Sequence, residues 1–285
     1  MKTGLVLEGG GVRGIYTAGV LDVFMEHEVL FDGVIGVSAG AIHGCSYLSG
    51  QKGRSIRYYK KYSRDPRFMS MRSFFKTGNI VGADFCYHEL PDKLDVYDNE
   101  AFLANGTPFY AGCTNVKTGE AEYLRVNDMR REIDKLRASA SLPYLSSPVE
   151  IDGQIYLDGG CNDSIPVEAF INMGYKRNVL ILTRPADYVR KPDHPKLARL
   201  VYRKYPAFAK ALCDHHDRYN RTMRLIEKME RDGDVFVIRP EKSLAIGRLE
   251  KDPEKIQVIY DIGRADGEKY INTLKKWYKE YKKNE

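Results

Sequence analysis

Residues 34–40 read VIGVSAG, a short apolar run that leads directly into small residues. The run at 34–37 predicts a buried strand, and residues 39–48 predict a helix that begins at once. A strand that turns sharply into a helix holds the residue at the turn, Ser38, in a strained conformation with its side chain projecting outward. Gly36 and Gly40 leave room for so tight a turn.

A serine at such a turn has two interpretations. In one, G-x-S-x-G is a nucleophile elbow, and the serine stands at a helix N-terminus where free N–H groups favour developing negative charge. In the other, small residues merely pack a helix closely on a sheet, because glycine and serine are common residues. Because Ser38 lies between a predicted strand and a predicted helix, the catalytic interpretation is as well supported as the structural one.

An earlier predicted strand, residues 5–7, runs into the loop GGGVRG at residues 9–14. Consecutive glycines leave backbone amides uncovered, so this loop suits a dinucleotide pyrophosphate, an oxyanion, or a tight turn without a ligand. A dinucleotide site needs an acid at the far end of the second strand, but the candidate, Asp32, precedes that strand. Ser38 stands where the ribose would be held, which favours a hydrolase over a cofactor site.

No histidine is placed to activate Ser38. His43 follows Ser38 by five residues on the same predicted helix. Relative to Ser38 it is therefore rotated by roughly 140° about the helix axis and displaced by about 7.5 Å along it. Adjacent histidines on a helix do not face one side, so we interpret His215 and His216 as a solvated helical turn, not as metal ligands. The others also lie outside any turn after a strand with small neighbours: His27, His88 and His194.

A carboxylate does lie at the end of a predicted strand, in YLDGG at residues 156–160. Two glycines after Asp158 let the backbone swing away and present the carboxylate alone. An aspartate is a weak base in water, with a pKa near 3.9, yet in a water-poor site it can accept the serine proton during attack. The alternative is an ordinary turn or helix-capping aspartate.

Taken in this chain order, the three motifs resemble the patatin-like phospholipase family. That family pairs a G-G-G-x-[KR]-G loop, a G-x-S-x-G elbow and a D-G-[AG] motif, and uses a Ser-Asp dyad without histidine. The similarity covers roughly residues 4–185 and includes ASASLP at 138–143 and DSIPV at 163–167.

The resemblance implies a serine acyl hydrolase that cleaves lipid carboxylic esters, in the manner of a phospholipase A or lysophospholipase, with neither metal nor organic cofactor. Ser38 would attack the ester carbonyl, Asp158 would accept its proton, and the amides of Gly10, Gly11 and Ala39 would hold the oxyanion. Arg13 would fix the glycine loop or touch an anionic head group. The site residues carried over from the family motifs are Gly9, Gly10, Gly11, Val12, Arg13, Gly14, Gly36, Ser38, Ala39, Gly40, Asp158, Gly159 and Gly160.

Short apolar strands alternating with helices predict an α/β fold with a mostly parallel, covered sheet, and the resemblance specifies three layers, α/β/α. The 285 residues divide into an acyl hydrolase domain at 1–190, with a basic, aromatic insertion at about 51–105, and a mostly helical C-terminal extension at 191–285 packed on it. The last helix has an apolar stripe that includes Leu274 and Tyr281, and this stripe favours docking on the domain. Its lysines, such as Lys279, Lys282 and Lys283, lie elsewhere on the helix.

The formal charge of +6 is concentrated between residues 51 and 76, where nine Lys and Arg face one acid, Asp65. Six aromatic residues lie among these cations. The segment suits a lid drawn to anionic lipid, a nucleic-acid surface, or a solvated helix whose aromatics face the core. We expect a lipid or ester substrate, no nucleic acid, and at most peripheral contact with an anionic membrane.

Five scattered cysteines without a C-x-x-C pair predict reduced thiols in a cytoplasmic protein. The first apolar run stops at Leu7, too short for a signal peptide, and no run approaches the roughly 18 apolar residues of a spanning helix. The rival outside enzymology is a lipid-binding or scaffold protein without turnover, against which the intact motifs argue.

Overall fold

An eight-stranded sheet forms the centre of this computed structural model, which describes residues 2–282. The strands are β1 (Thr3–Leu7), β2 (Gly33–Val37), β3 (Phe109–Asn115), β4 (Ala121–Val126), β5 (Val149–Ile151), β6 (Gln154–Asp158), β7 (Arg177–Ile181) and β8 (Val235–Ile238). They lie in the order β5-β6-β3-β2-β1-β7-β8, and β4 pairs with β3 off this path. The neighbouring strands β3, β2, β1, β7 and β8 are all parallel. The pairs β3–β4, β3–β6 and β5–β6 are antiparallel.

Helices cover both faces of the sheet. They are α1 (Ile15–Glu26), α2 (Ala39–Leu48), α3 (Arg54–Tyr62), α4 (Met71–Thr77), α5 (Asn99–Asn105), α6 (Ile133–Ser139), α7 (Val167–Asn172), α8 (Pro195–Val201), α9 (Pro206–Arg231) and α10 (Pro253–Lys282). Leu5 and Leu7 pack among residues of α1, α2 and α10, while Val6 packs among residues of α7 and α9. This alternation confirms the predicted three-layer α/β/α fold with a mostly parallel sheet.

Helix α1 is buried on every side. Residues 15–24 are all buried, because α10 lies against the side that faces away from the sheet. The two helices touch at glycines: a Cβ on Gly263 would lie 2.1 Å from the Tyr16 carbonyl oxygen. Tyr260 then donates a hydrogen bond to Asp22 and joins the two helices across this contact.

Residues after 190 contribute to the same sheet as well as to its helical cover. Strand β8 pairs with β7, and α9 packs against β8. The division of the chain at residue 190 stays a prediction. The side chains of Lys279, Tyr281, Lys282 and Lys283, which the sequence placed on two faces of the last helix, lie outside the described residues.

The insertion folds into α3, α4, a π-helical segment at Phe85–Leu94, and α5. Four of the six aromatics between residues 51 and 76 are buried in the core: Tyr58, Tyr59, Tyr62 and Phe68. Several cations of the same segment pair with acids elsewhere, as Arg57 does with Asp95 (2.6 Å) and Arg64 with Asp252 (3.5 Å). This geometry supports the third interpretation of the segment, a helix whose aromatics face the core.

Candidate active site

Ser38 occupies the turn between β2 and α2 with φ 55° and ψ −122°. A positive φ is rare outside glycine and stores strain, which surrounding packing must maintain. A Cβ on Gly36 would lie 2.6 Å from the Ala41 nitrogen, and one on Gly40 would lie 2.5 Å from the Leu7 carbonyl oxygen. Both glycines are therefore needed for the backbone to pass so close to itself beside this serine.

Ser38 and Asp158 meet although they lie 120 residues apart. The Ser38 Oγ donates a hydrogen bond of 2.6 Å to Asp158 Oδ2. Strand β2 pairs in parallel with residues 109–112 of β3. Strand β6 pairs antiparallel with residues 113–115 of β3, along the same edge of that strand. The carboxyl ends of β2 and β6 therefore face each other, and each places one of the two side chains at their junction.

Asp158 is buried, and its carboxylate is held at both oxygens. Oδ1 accepts the Gly160 N–H at 2.7 Å, while Oδ2 accepts the Ser38 hydroxyl. Burial raises the pKa of Asp158 to about 6, and the hydrogen bonds from Ser38 and Gly160, with the charges of Arg248 and Arg190, limit the rise. A pKa near neutrality suits a group that takes and returns a proton.

Ser139 holds the elbow in place, a role that the sequence did not reveal. Its Oγ accepts the Ser38 N–H at 2.9 Å and donates to the Gly112 carbonyl at 2.6 Å. The serine therefore links the turn to strand β3. Its segment, ASASLP, is distinguished only by the family resemblance, and no local pattern separates Ser139 from Ser141.

The glycine loop lies beside Ser38, and two of its amides are already used. Gly9 donates to the Ser164 carbonyl at 3.2 Å, and Val12 donates to the Arg248 carbonyl at 3.2 Å. The amides of Gly10, Gly11 and Ala39 make no hydrogen bond to any residue the structure describes. Ala39 is the first residue of α2, where amides have no intrahelical acceptor.

Two buried charged residues lie at this loop, Glu8 just before it and Arg13 within it. Glu8 accepts hydrogen bonds from Thr183 and, at 2.8 Å, from the Tyr219 hydroxyl, and burial raises its pKa. Arg13 is 6% exposed and lies in the short 3₁₀ turn Gly11–Gly14. Gly14, the last residue of that turn, lies in close contact with α2, because a Cβ on Gly14 would lie 2.6 Å from the Ala39 Cβ.

The histidines do not reach Ser38, and one prediction about them was wrong. His43 is buried against Ser55 (2.9 Å), and burial lowers its pKa to about 3. His215 is not part of a solvated turn, because α9 packs onto the domain and buries it against Ser164 at 3.0 Å. Burial, chiefly, lowers the pKa of His215, so it is neutral at pH 7. No histidine in residues 2–282 hydrogen-bonds Ser38.

Two cavities open on either side of Ser38. One, of about 490 Å³, is largely apolar and runs under the insertion, between Ile42, Tyr58, Phe68, Leu90, Met129 and Leu136. The other, of about 450 Å³, lies between the glycine loop and α9 and is lined by Asp158, His215 and four arginines. Ser38, Gly11 and Leu142 line both, so the serine stands where the two cavities meet.

Neither a metal cluster nor a membrane span is found in the described chain. Within residues 2–282, no three His, Cys, Asp or Glu side chains group so as to hold a metal ion. Over the same range, every helix is too short or too polar to cross a bilayer.

The chain has several curated relatives. It is 29% identical over 281 residues to an uncharacterized protein of Escherichia coli (strain K12), YjjU, which covers 96% of this chain and 78% of that protein. It is 26% identical over 199 residues to lysophospholipase NTE1 of Cryptococcus neoformans, covering 66% of this chain but 12% of the fungal protein. The solved structure of VipD from Legionella pneumophila aligns over 95% of this chain and 67% of its own, with a TM-score of 0.44 and 13% identity.

Family models divide the chain into two matched parts. Residues 205–279 match a domain of unknown function, DUF6363. Residues 5–171, more than half of the chain, match the model described as patatin-like phospholipase, and they contain both Ser38 and Asp158. The chain therefore belongs to the patatin-like phospholipase family and is a hydrolase that acts on ester bonds.

Proposed function

We propose that this protein hydrolyses carboxylic esters of lipids, as a phospholipase A or lysophospholipase does, with Ser38 as nucleophile and Asp158 as general base. The observation that carries the proposal is the 2.6 Å hydrogen bond between the two side chains at a strained turn. A nucleophile within hydrogen-bond reach of its base is the geometric requirement for covalent acyl transfer.

The reaction proceeds in two steps at one serine. Ser38 Oγ attacks the ester carbonyl while its proton passes to Asp158, and Asp158 then returns that proton to the departing alcohol. Asp158 then takes a proton from a water molecule that attacks the acyl-serine, and it returns this proton to Ser38 Oγ as the fatty acid leaves. The amides of Gly10, Gly11 and Ala39 hold the tetrahedral oxyanion, because they have no protein acceptor within residues 2–282 and the glycine loop lies beside Ser38.

The apolar cavity under the insertion takes the acyl chain. Tyr58 and Phe68, whose aromatic rings belong to the insertion, form part of its wall, and Ser38 also lines it. Burial of a hydrocarbon chain there is favoured by about 0.8 kcal/mol per methylene. The insertion therefore acts as a wall of the acyl site, and long-chain esters are the expected substrates.

A fluorophosphonate probe tests the proposal directly. We expect one covalent adduct, located by mass spectrometry on the peptide that contains Ser38, and slower labelling when a long-chain ester is present. We also expect kcat/KM for p-nitrophenyl esters to rise from acetyl to decanoyl chains. Absence of both labelling and hydrolysis across a lipid panel would instead favour a lipid-binding protein without turnover.

We propose in addition a peripheral contact with anionic membranes through α4 and α8, not through α3. Phe75 on α4 is 81% exposed and Leu200 on α8 is 68% exposed, and both helices carry exposed cations. The loop at residues 142–147 contacts the chain just after each helix: the Leu145 carbonyl accepts a hydrogen bond from the Ile80 N–H, and the Tyr144 N–H donates to the Tyr202 hydroxyl. The same loop lines both cavities.

Changing Phe75 and Leu200 together to Asp should weaken binding to phosphatidylglycerol-containing vesicles by about tenfold or more, because two apolar anchors become repelled charges. Vesicle co-sedimentation measures this. The matched control is Val258→Asp, an exposed apolar position on α10, which should bind as the wild type does. Equal binding by the double variant would remove this contact from the proposal.

The five cysteines at positions 45, 86, 113, 161 and 213 form no disulfide with one another. We propose a cytoplasmic location, where such thiols stay reduced.

A further inference from the structure

A hydrogen-bonded path reaches Asp158 from helix α9. His215 on that helix is 5% exposed, and its Nε2 lies 3.0 Å from the Ser164 Oγ. The Ser164 hydroxyl donates to the Gly160 carbonyl at 3.3 Å, and the Gly160 N–H donates to Asp158 Oδ1 at 2.7 Å. The path therefore connects a buried imidazole, through two intervening residues, to the carboxylate of the proposed base.

The direction of each hydrogen bond in this path follows from the protons available. The Ser164 hydroxyl has one proton, which it gives to Gly160, so it accepts from His215. We therefore assign the proton of the neutral His215 ring to Nε2. The pKa of His215 is lowered chiefly by burial and then by the charges of three arginines: Arg190, Arg218 and Arg248. The imidazole is thus a fixed donor that does not titrate near pH 7.

Ser164 contacts both loops of the proposed active site. Its backbone carbonyl accepts the Gly9 N–H at 3.2 Å, which ties it to the glycine loop. Its side chain holds Gly160, on the loop that follows Asp158. A shift of Ser164 would therefore displace the proposed oxyanion donors and the proposed base together.

Helix α9 is well anchored at this point. Leu212 on α9 belongs to the same apolar cluster as Leu157, the residue before the proposed base. Arg218, three residues after the histidine and hence on the same helix face, donates to the carbonyls of Cys161 (3.3 Å) and Asn162 (3.1 Å). The helix therefore contacts the loop after the aspartate at several neighbouring positions, and it can serve as a rigid support for that loop.

The path also joins the two matched parts of the chain. Ser38 and Asp158 lie in the patatin-like part at residues 5–171, whereas His215 lies in residues 205–279, which match a domain of unknown function. The two residues that take part in the proposed reaction are therefore supported from a part of the chain that has no assigned role.

We propose that this C-terminal part completes the catalytic site, and that His215 is a positioning residue that keeps Asp158 aligned with Ser38 by acting through Ser164 and Gly160. The inference rests on the proposed function, in which the aspartate is the base. No hydrogen bond joins the histidine to the nucleophile or to the base in the described chain, so it transfers no proton in the reaction.

His215→Ala should lower kcat for p-nitrophenyl decanoate by about tenfold to a hundredfold with little change in KM, because a small misplacement of the base disturbs the reacting geometry and not the acyl site. His215→Gln, whose amide can still donate to Ser164, should restore most of the activity. Initial rates and thermal melts measure these effects. A loss as large as that from Asp158→Asn would make the histidine a base and would overturn a positioning role.

The pH profile separates positioning from a general loss of packing. In His215→Ala the midpoint of kcat/KM should move upward by about half a pH unit or more, because a weakened Gly160 N–H bond favours the protonated form of Asp158. Looser packing alone would admit water and move the midpoint downward, since burial is what raises the pKa of this carboxyl. The neutral imidazole takes no charge with it when it is removed.

The matched control is His216→Ala, the next residue on α9, whose ring contacts the Cys213 carbonyl (3.0 Å) and which should behave as the wild type. Ser164→Ala breaks the path at its middle but keeps the backbone bond to Gly9, so it should reproduce the lower kcat and the raised midpoint. It decides the question if His215→Ala does not fold.

The double variant of His215→Ala and Ser164→Ala should lose no more activity than the weaker of the two single variants, because both interrupt one path. Losses that multiply, or a folded His215→Ala with the kcat and pH midpoint of the wild type, would overturn the inference. Ser38→Ala and Asp158→Asn test the proposed function by themselves, so a negative result on the histidine alone leaves that function standing.

Discussion

Ser38→Ala should abolish ester hydrolysis, with a loss in kcat on the order of 10⁴ or more, as for removal of the serine from a catalytic triad. The change deletes the atom that forms the acyl-enzyme, and the oxyanion donors alone cannot replace it. The fold should persist, because the lost side chain is small and its hydrogen bond to Asp158 contributes about 1 kcal/mol. Initial rates with p-nitrophenyl decanoate and a thermal melt measure both effects.

A control and a second substitution make this result specific. Ser49→Ala, at the other end of α2, removes a buried hydroxyl bonded to the Ser46 carbonyl and should retain wild-type activity. Ser38→Gly should be as inactive as Ser38→Ala but more stable by about 1 kcal/mol, because glycine adopts a φ of 55° without strain. Near wild-type turnover by Ser38→Ala would mean that another residue is the nucleophile.

Asp158→Asn should lower kcat by about 10³–10⁴-fold, by analogy with loss of the carboxylate from a triad. The amide keeps the shape of the side chain and its acceptor for the Gly160 N–H, but it cannot take the serine proton. The matched control is Asp163→Asn, another aspartate that accepts two hydrogen bonds, from Tyr123 and Ile165, away from Ser38. It should retain most of the activity.

The pH profile gives an independent measure of the same group. Because Asp158 must be ionised to act as a base and its pKa is about 6, kcat/KM should rise with pH through about 6 and then level. A profile that is flat between pH 5 and 7, or one set by a histidine whose replacement costs as much as Asp158→Asn, would argue against Asp158 as the base.

The free energy of unfolding should change with pH in the opposite direction to kcat/KM. The pKa of Asp158 is higher in the folded chain, about 6, than the 3.8 of an unperturbed side chain, so the folded state holds a proton that the unfolded state has lost between these values. Stability therefore falls as pH rises from about 4 to 6, by on the order of 3 kcal/mol. Asp158→Asn removes this cost, and the variant should melt above the wild type at pH 8 and near it at pH 4.

Local sequence was sufficient to predict strands β1, β2 and β6, the turn that follows each of them, and the two residues of the proposed dyad. Strand β2, Gly33–Val37, is buried throughout, and the Asp152-Gly153 pair, a sequence typical of hairpin turns, joins β5 to β6 with φ of 49° and 72°. These features depend on neighbouring residues only, because strand burial and turn conformation are set by apolar runs and by glycine. For the same reason the local pattern around Ser38 is enough to place it at a strand–helix turn.

The meeting of Ser38 with Asp158 was not predictable from the residues themselves and was carried by the family resemblance. It depends on β2 and β6 sharing one edge of β3 from opposite directions, an arrangement that hydrogen bonds between distant strands decide. Nothing in YLDGG specifies which strand it will pair with. The burial of His215 has the same cause, since α9 must dock before that side chain leaves water.

The charged residues likewise separate what the sequence reveals from what only the tertiary structure decides. Composition revealed the excess of nine Lys and Arg over one acid in residues 51–76, but it could not reveal that Arg57 meets Asp95 or that Arg64 meets Asp252. In the cavity between the glycine loop and α9 the opposite holds, because four arginines from distant parts of the chain, Arg13, Arg184, Arg190 and Arg248, converge there. Charge is additive along a sequence, whereas the electrostatic potential at a site depends on distances in space. The sequence by itself therefore determined the chemistry available to this protein, and only the tertiary structure decided which charges meet and which of them line a cavity beside Ser38.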